Sequence, residues 1–123
     1  MQQEEKRIYK QAERRTREQV EAMLASQESE KIVPALLSAT YYDPDWRWVQ
    51  TQCLFHLTNA DLSVRRTAAN CLGLLAVFHH KLDSDLVMSA LRRAAEDPEV
   101  RRWAEDSLED IQHTLGGSND RSG

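Results

Sequence analysis

The stretch VRRTAANCLGLL, residues 64 to 75, lies over VRRWAEDSLEDI, residues 100 to 111, at an offset of 36 residues. Val64 pairs with Val100, Arg65 with Arg101, Arg66 with Arg102, Ala68 with Ala104, Leu72 with Leu108 and Leu75 with Ile111. A period of this length marks stacked helix pairs, in which no single unit can bury its apolar face alone. The matched positions are small or apolar because successive hairpins meet there. At 123 residues the chain has room for one such core and not for two independent ones.

The rest of the sequence agrees with an all-helical reading. It holds four glycines and three prolines, and three of the glycines fall in GGSNDRSG at the end, so the body has few breakers. No β-alternation of useful length occurs. An Asp-x-x-apolar-Arg formula recurs as Asp43-Pro-Asp-Trp46-Arg47, Asp61-Leu-Ser-Val64-Arg65 and Asp97-Pro-Glu-Val100-Arg101. It predicts helix starts, with Asp43 and Asp97 capping orphan N–H groups, proline at a position that needs no donor, and Ser63 as the cap of the middle copy. A further helix is expected from about Lys31 to Tyr42, with Ser29 as N-cap, Pro34 near the first turn, and Ile32, Val33, Leu36 and Leu37 inward. The segment 64–79 is apolar almost all round, with Val64, Ala68, Cys71, Leu72, Leu75 and Phe78 on one side and Ala69, Leu74 and Val77 on another, which places it mid-stack. Gly73 at its centre is expected to let two helices approach closely.

Residues 1–29 carry six bases and six acids. Glu13 and Arg17 stand one turn apart in the favourable order, and a thin apolar line runs through Ile8, Ala12, Val20, Met23 and Leu24. The expected organisation is a charged, partly frayed N-terminal helix over 1–29, a helical-repeat domain over 30–115, and a disordered tail over 116–123.

On the turn Asp97-Pro98-Glu99 with Val100-Arg101-Arg102 and Ala104, and on Val64-Arg65-Arg66 with Ala68-Ala69 and Leu72-Gly73, the chain resembles the HEAT-repeat family in its short bacterial, phycobilin-lyase-like form. The resemblance covers about residues 31–115. It implies a right-handed stack of antiparallel helix pairs, an α-solenoid of about six helices, in which Arg65 and Arg101 tie one turn to the next through an aspartate. That family includes scaffolds, enzyme regulators, DNA-lesion readers and small immunity proteins that neutralise bacterial toxins, so the fold alone does not select a function. The run DPDWRWVQTQCL, followed by VRRTAANCLGLLAVFH, LDSD and AEDSLEDI, is similar to small bacterial HEAT-like proteins of toxin-immunity settings.

Catalytic chemistry finds no carrier in the sequence. His56, His79, His80 and His113 show no i, i+4 pair and no cysteine pair nearby, so neither a metal site nor a cofactor is expected. His79 and His80 read as helix-end residues meeting exposed carbonyls. Cys53 and Cys71 sit among leucines and read as buried, reduced thiols. There is no Gly-rich phosphate cradle and no serine in a nucleophile motif. The protein is therefore expected not to be an enzyme. The longest apolar stretch, Cys71 to Phe78, falls far short of the ~20 residues that span a bilayer. MQQEEKR is not followed by an apolar signal core, so a cytoplasmic location is expected and a membrane partner is not.

A protein partner is the remaining expectation. The net charge is -4 and the pI about 5.5, which disfavours a general attraction to nucleic acid and suits a basic protein surface. The arginine pairs at 65/66, 92/93 and 101/102 are the strongest argument for a DNA-binding alternative, but acids interrupt them and a structural role is preferred. Asp97, Glu99, Glu105, Asp106, Glu109 and Asp110 crowd the last helix, where Val100, Ala104, Leu108, Ile111 and Leu115 mark the buried stripe, so the acids from Glu105 onward form an outer ridge. Trp46 and Trp48 stand two residues apart, about 200° around a helix, and cannot both enter one core. Trp46 aligns with Val64 and Val100 and reads as packing. Trp48 with Tyr41 or Tyr42 reads as an aromatic anchor, and Trp103 as another beside the ridge. The expected partner-binding set is thus Asp43, Asp45, Trp48, Asp83, Asp85, Trp103, Glu105, Asp106, Glu109 and Asp110. Its leading reading is an immunity-type inhibitor covering a basic toxin surface; a general helical scaffold or regulator is the alternative.

Overall fold

A computed structural model describes residues 12–116. It contains α1 (Arg17–Ala25), α2 (Ser29–Tyr42), α3 (Trp46–His56), α4 (Leu62–His79), α5 (Ser84–Ala94) and α6 (Arg101–Ile111), followed by a π-helical turn over Gln112–Gly116. The described residues include no strand. Of the span 1–29 expected as a helix, α1 covers Arg17–Ala25 and residues 12–16 before it are not helical; the expectations for Ile8, for 1–11 and for the tail from 117 lie outside the described residues.

Local chemistry sets where each helix begins. Thr16 and Gln19 form a capping box at α1, with Thr16 Oγ1 accepting from Gln19 N at 3.1 Å and Gln19 Oε1 accepting from Thr16 N at 2.9 Å. Glu13 consequently lies outside the helix. It pairs with Arg15 rather than Arg17, which corrects the i, i+4 expectation. In α2 the N-cap is Glu28, Ser29 is the first helical residue, and Pro34 falls in the second turn, where the Glu30 carbonyl loses its intrahelical donor. Ile32 and Leu36 are buried with Ala35 and Ala39, whereas Val33 and Leu37 are half-buried on the flanks.

The Asp-Pro-Asp junction works one residue set later than its sequence formula predicts. Asp43 terminates α2, its N–H donating to Ala39 O at 3.0 Å, and Asp45 caps α3 by accepting from Trp48 N at 3.2 Å. In the middle copy Asp61, not Ser63, accepts from Val64 N at 3.2 Å, while the Ser63 hydroxyl donates to the same carboxylate oxygen. Asp97 caps no helix; its carboxylate accepts from Glu99 N at 2.9 Å and rounds the turn at Pro98 before α6 begins.

Two layers follow from the contacts. Helices α2, α4 and α6 lie side by side, α3 packs on α2 and α4, α5 packs on α4 and α6, and α1 packs on α2. The side-by-side helices run parallel: Cys71 Sγ reaches Leu36 O at 3.8 Å and His79 Nε2 reaches Thr40 O at 3.4 Å farther along. Between α4 and α6, Arg66 Nε donates to Glu99 O at 2.8 Å and Ser107 Oγ donates to Ala69 O at 2.6 Å. Helix α4 occupies the centre, as its all-round apolarity requires. The repeat-matched pairs Val64 and Val100, Ala68 and Ala104, and Leu75 and Ile111 are all buried; Leu72 is buried and Leu108 half-buried against the same core. Each fully buried Leu, Val or Ile here contributes about 1.5–3 kcal/mol relative to exposure. Phe78 departs from its expected inward side. It lies 45 % exposed, because the last turn of α4 runs beyond Leu75, the partner of Ile111 where α6 ends. Val77, on the adjoining face, is exposed as well.

Candidate functional site

The acids expected to bind a partner fall into two groups with different electrostatics. The first group gathers where the start of α1, the end of α2 and the start of α3 converge. Arg17 Nε donates to Asp43 Oδ2 at 2.8 Å, Arg17 Nη2 donates to Asp43 Oδ1 at 3.1 Å, and the same Nη2 lies 3.5 Å from Asp45 Oδ2. This bidentate pair is charge-assisted and partly sheltered, with the Asp43 side chain 12 % exposed. Its hydrogen bonds from Arg17 hold the Asp43 carboxyl below the ordinary carboxylate range. The guanidinium also lies 3.9 Å over the Trp48 ring. Trp48 is therefore half-buried and covered on one face.

Asp83, at the start of α5, is also engaged. Gln50 Nε2 donates to its carboxylate at 2.8 Å, its own N–H donates to Gln50 Oε1 at 2.8 Å, and Arg47 Nη2 approaches at 3.8 Å. Gln50 is buried in an otherwise apolar helix face, and this reciprocal clamp satisfies its amide. The polar residue in a buried stripe was the available sequence signal for it.

The second group is open. Glu105, Asp106, Glu109 and Asp110 are exposed along the outer face of α6, and Asp85 is exposed in the first turn of α5, the helix that packs on α6. No ion pair to these five occurs among the described residues. Helix α4 stands between α2 and α6. Trp103 joins the ridge on α6, half-buried beneath Arg66, whose guanidinium lies 4.1 Å over its ring.

Of the six paired arginines, Arg65, Arg66 and Arg101 are tied to backbone carbonyls. Arg65 Nη1 donates to Asn59 O at 2.9 Å and Ala60 O at 3.0 Å, and Arg101 Nε donates to Ala95 O at 2.8 Å. Both reach back six residues, so the repeat carries a matched side-chain tie. Arg65 also lies 3.7 Å from Asp97, linking one turn to the next. Arg92, Arg93 and Arg102 are exposed.

Exposed aromatic surface occurs at Tyr42, one of the two tyrosines expected beside Trp48, and at Phe78 and Phe55, which were not expected to face a partner. Tyr41, Tyr42 and Phe78 form a ring cluster, with Tyr41 and Phe78 centroids 4.8 Å apart and Tyr42 under Arg14 at 5.2 Å. Phe55 on α3 is 72 % exposed and borders a cleft of about 280 Å³ lined by Glu21, Leu24, Ala25, Trp48, Gln52, Phe55 and His56. Its signal was a phenylalanine one position off the stripe of Val49, Cys53 and His56.

Cys53, Cys71 and His56 are buried titratable groups. Cys53 and Cys71 are free and fully buried; the hydrogen bond with Cys71 and full burial push the Cys53 thiol up. Burial lowers the His56 imidazole below its ordinary value, and Asn59 lies 3.3 Å from its Nδ1. His80 ends α4 in a left-handed conformation with φ 56°. Among the described residues, no group of three His, Cys, Asp or Glu side chains is placed to hold a metal ion, and no helix is long and apolar enough to cross a membrane.

The chain is similar to one in the crystal structure of a CDI complex from Cupriavidus taiwanensis LMG 19424. Identity is 30 % over 85 % of this chain and 94 % of that one, with a TM-score of 0.78. The two chains belong to one family. The likeness spans nearly the whole relative rather than a single hairpin. No protein-family model and no curated protein matches the sequence.

Proposed function

We propose that this protein is a non-catalytic, immunity-type inhibitor that binds a toxin domain of a contact-dependent growth inhibition (CDI) system in the cytoplasm of a bacterial cell. The observation that carries this reading is family membership with a chain of a CDI complex, which points to a protein partner. The stack is read as HEAT-like on the strength of its 36-residue equivalence, including the matched ties from Arg65 and Arg101. The face proposed for the partner is the α6 ridge of Glu105, Asp106, Glu109 and Asp110, with Asp85 and the edge of Trp103 beside it. Among the described residues no cation pairs with these carboxylates, so a basic toxin surface would gain their charge complementarity. Asp43, Asp45 and Asp83 are proposed as supports for the surface, since arginines and Gln50 already occupy them.

The test is co-expression with the product of the reading frame immediately upstream. The expected result is relief of its growth inhibition and co-purification as a stable complex. The triple change Glu105→Lys, Asp106→Lys and Glu109→Lys should then weaken binding about 10- to 100-fold, chiefly at low salt, with the helical circular dichroism unchanged. A complex indifferent to these reversals rules out the ridge; no complex and no relief of inhibition overturns the function.

A further inference from the structure

All three tryptophans carry an arginine over the ring: Arg47 at 4.6 Å on Trp46, Arg17 at 3.9 Å on Trp48 and Arg66 at 4.1 Å on Trp103. Among the described residues, Phe55 is the most exposed of the large hydrophobic side chains, and its ring contact is with His56, edge-on at 5.0 Å. It stands at a cleft between α1 and α3 whose walls are Trp48, Leu24 and Ala25 and whose polar lining is Glu21, Gln52 and His56. Small-molecule sites commonly measure about 300–1,000 Å³. At about 280 Å³ this cleft suits one inserted side chain better than a cofactor.

Its charge selects the side chain. Glu21 is exposed and lines the cleft, and Glu18, one turn earlier on the same face of α1, is exposed too. Neither has an ion-pair partner among the described residues. The nearby cation, Arg17, is held by Asp43 and Asp45, so it adds little net repulsion. His56 is buried at the cleft wall with its imidazole biased toward the neutral form. Aromatic faces beside unpaired carboxylates, in a concavity sized for one residue, are the surroundings that a guanidinium prefers.

We infer that the α1–α3 cleft receives an arginine side chain of a protein partner, which lies against Phe55 and Trp48 and pairs with Glu21. This rests on the protein-binding reading above and adds a second contact, on the opposite side of α4 from the acidic ridge. An arginine reaching this cleft would extend to Phe55 the stacking that the fold already uses on its own tryptophans.

The experiment is an NMR titration of the full chain with N-acetyl-arginine amide, its uncharged isostere N-acetyl-citrulline amide, and N-acetyl-leucine amide. The expected result is saturable shifts confined to Leu24, Ala25, Trp48, Gln52 and Phe55 with the arginine probe. Citrulline should bind about tenfold more weakly. Phe55→Ala and Glu21→Gln, both at exposed positions, should each remove the saturable response. Equal binding of citrulline or leucine, shifts spread over the α6 ridge instead, a response unchanged in both variants, or no response up to the solubility limit of the arginine probe each overturn the inference. The probe titration needs no toxin. A toxin complex that survives Phe55→Ala, with no probe response, sinks the cleft and leaves the immunity reading standing; a probe response without any toxin complex does the reverse.

Discussion

A Cβ placed on Gly73 would sit 2.5 Å from Ser107 Oγ, 2.9 Å from Ser107 Cβ and 3.0 Å from its Cα. Helices α4 and α6 touch here at backbone range, and the approach lets Ser107 Oγ donate to Ala69 O at 2.6 Å. The repeat interface is thus closed by an absent side chain on one helix and a small, bonded one on the other.

Gly73→Ala sets two effects against each other. Alanine gains about 1 kcal/mol over glycine in a helix interior, but the added methyl must displace Ser107 backbone, and overpacking of this kind costs about 1–3 kcal/mol. With Cα itself in the way, the clash wins. Urea denaturation should show a net loss of about 1–2 kcal/mol, and the double change Gly73→Ala with Ser107→Gly should recover part of it. A stabilised single variant would disprove the close approach.

The Arg17–Asp43 pair predicts a pH signature. Its folded-state carboxyl lies below the unfolded value of about 3.9, so its contribution is present above that value and disappears as pH falls through the folded pKa. Asp43→Asn should therefore cost stability at pH 7, on the order of 1 kcal/mol since Arg17 is 36 % exposed. The gap between variant and parent should close at acid pH. Thermal melts at pH 7 and pH 3 make the comparison, and a gap that widens on acidification would refute the assignment.

Why this pair was missed explains how much the sequence could show. The repeat spacing was enough to place Val64, Ala68 and Leu75 in the core with their partners, because those choices depend on helical period alone. Arg17 meets Asp43 across 26 residues, and nothing local marks the partner of an arginine that has Glu13 one turn away. The Asp-Pro-Asp junction offers two carboxylates of equal local merit, and only the arrival of α1 separates the helix end at Asp43 from the cap at Asp45. The same limit applies to Trp48: helical geometry shows that one tryptophan must leave the core, but not that an arginine covers it. The acids of α6 were legible as exposed, since the stripe through Ala104 and Ile111 leaves them no other face.

The matched residues Arg66 and Arg102 should behave differently despite their equivalence. Arg66 joins the repeat units through Glu99 O and the Trp103 ring, whereas Arg102 is exposed on the last helix. Arg66→Ala should destabilise by about 1–2 kcal/mol, and Arg102→Ala by less than about 0.5 kcal/mol. Matched denaturation curves decide it; equal losses would mean that Arg66 does not bind the units together.

His56 should make the fold sensitive to mild acid. Burial lowers its folded-state value below the unfolded one of about 6.5, so the unfolded chain takes up the proton first. Stability contributed by the neutral ring is therefore complete above the unfolded value and is lost as pH falls below it, levelling off once the folded form also protonates. His56→Gln should shift the urea midpoint least at low pH and flatten its slope between pH 7.5 and 5. An unchanged slope in the variant would assign the sensitivity to the other histidines.

Cys53 and Cys71 should resist thiol reagents in the native protein. Both are fully buried, one on α3 and one on α4, and the raised Cys53 thiol withholds the thiolate that reacts. Reaction must then wait for an opening that separates α3 from the central helix, and its rate should track the folding equilibrium. Labelling by a disulfide reagent should be slow in buffer and should accelerate in step with unfolding as urea is added. Gly73→Ala, which loosens the stack on the far side of α4, should raise the native labelling rate in proportion to the stability it loses. Rapid labelling in buffer at an unchanged folding equilibrium would instead require a local path to the thiols, and with it a weaker contact between α3 and α4 than the burial of Val49 and Cys53 implies.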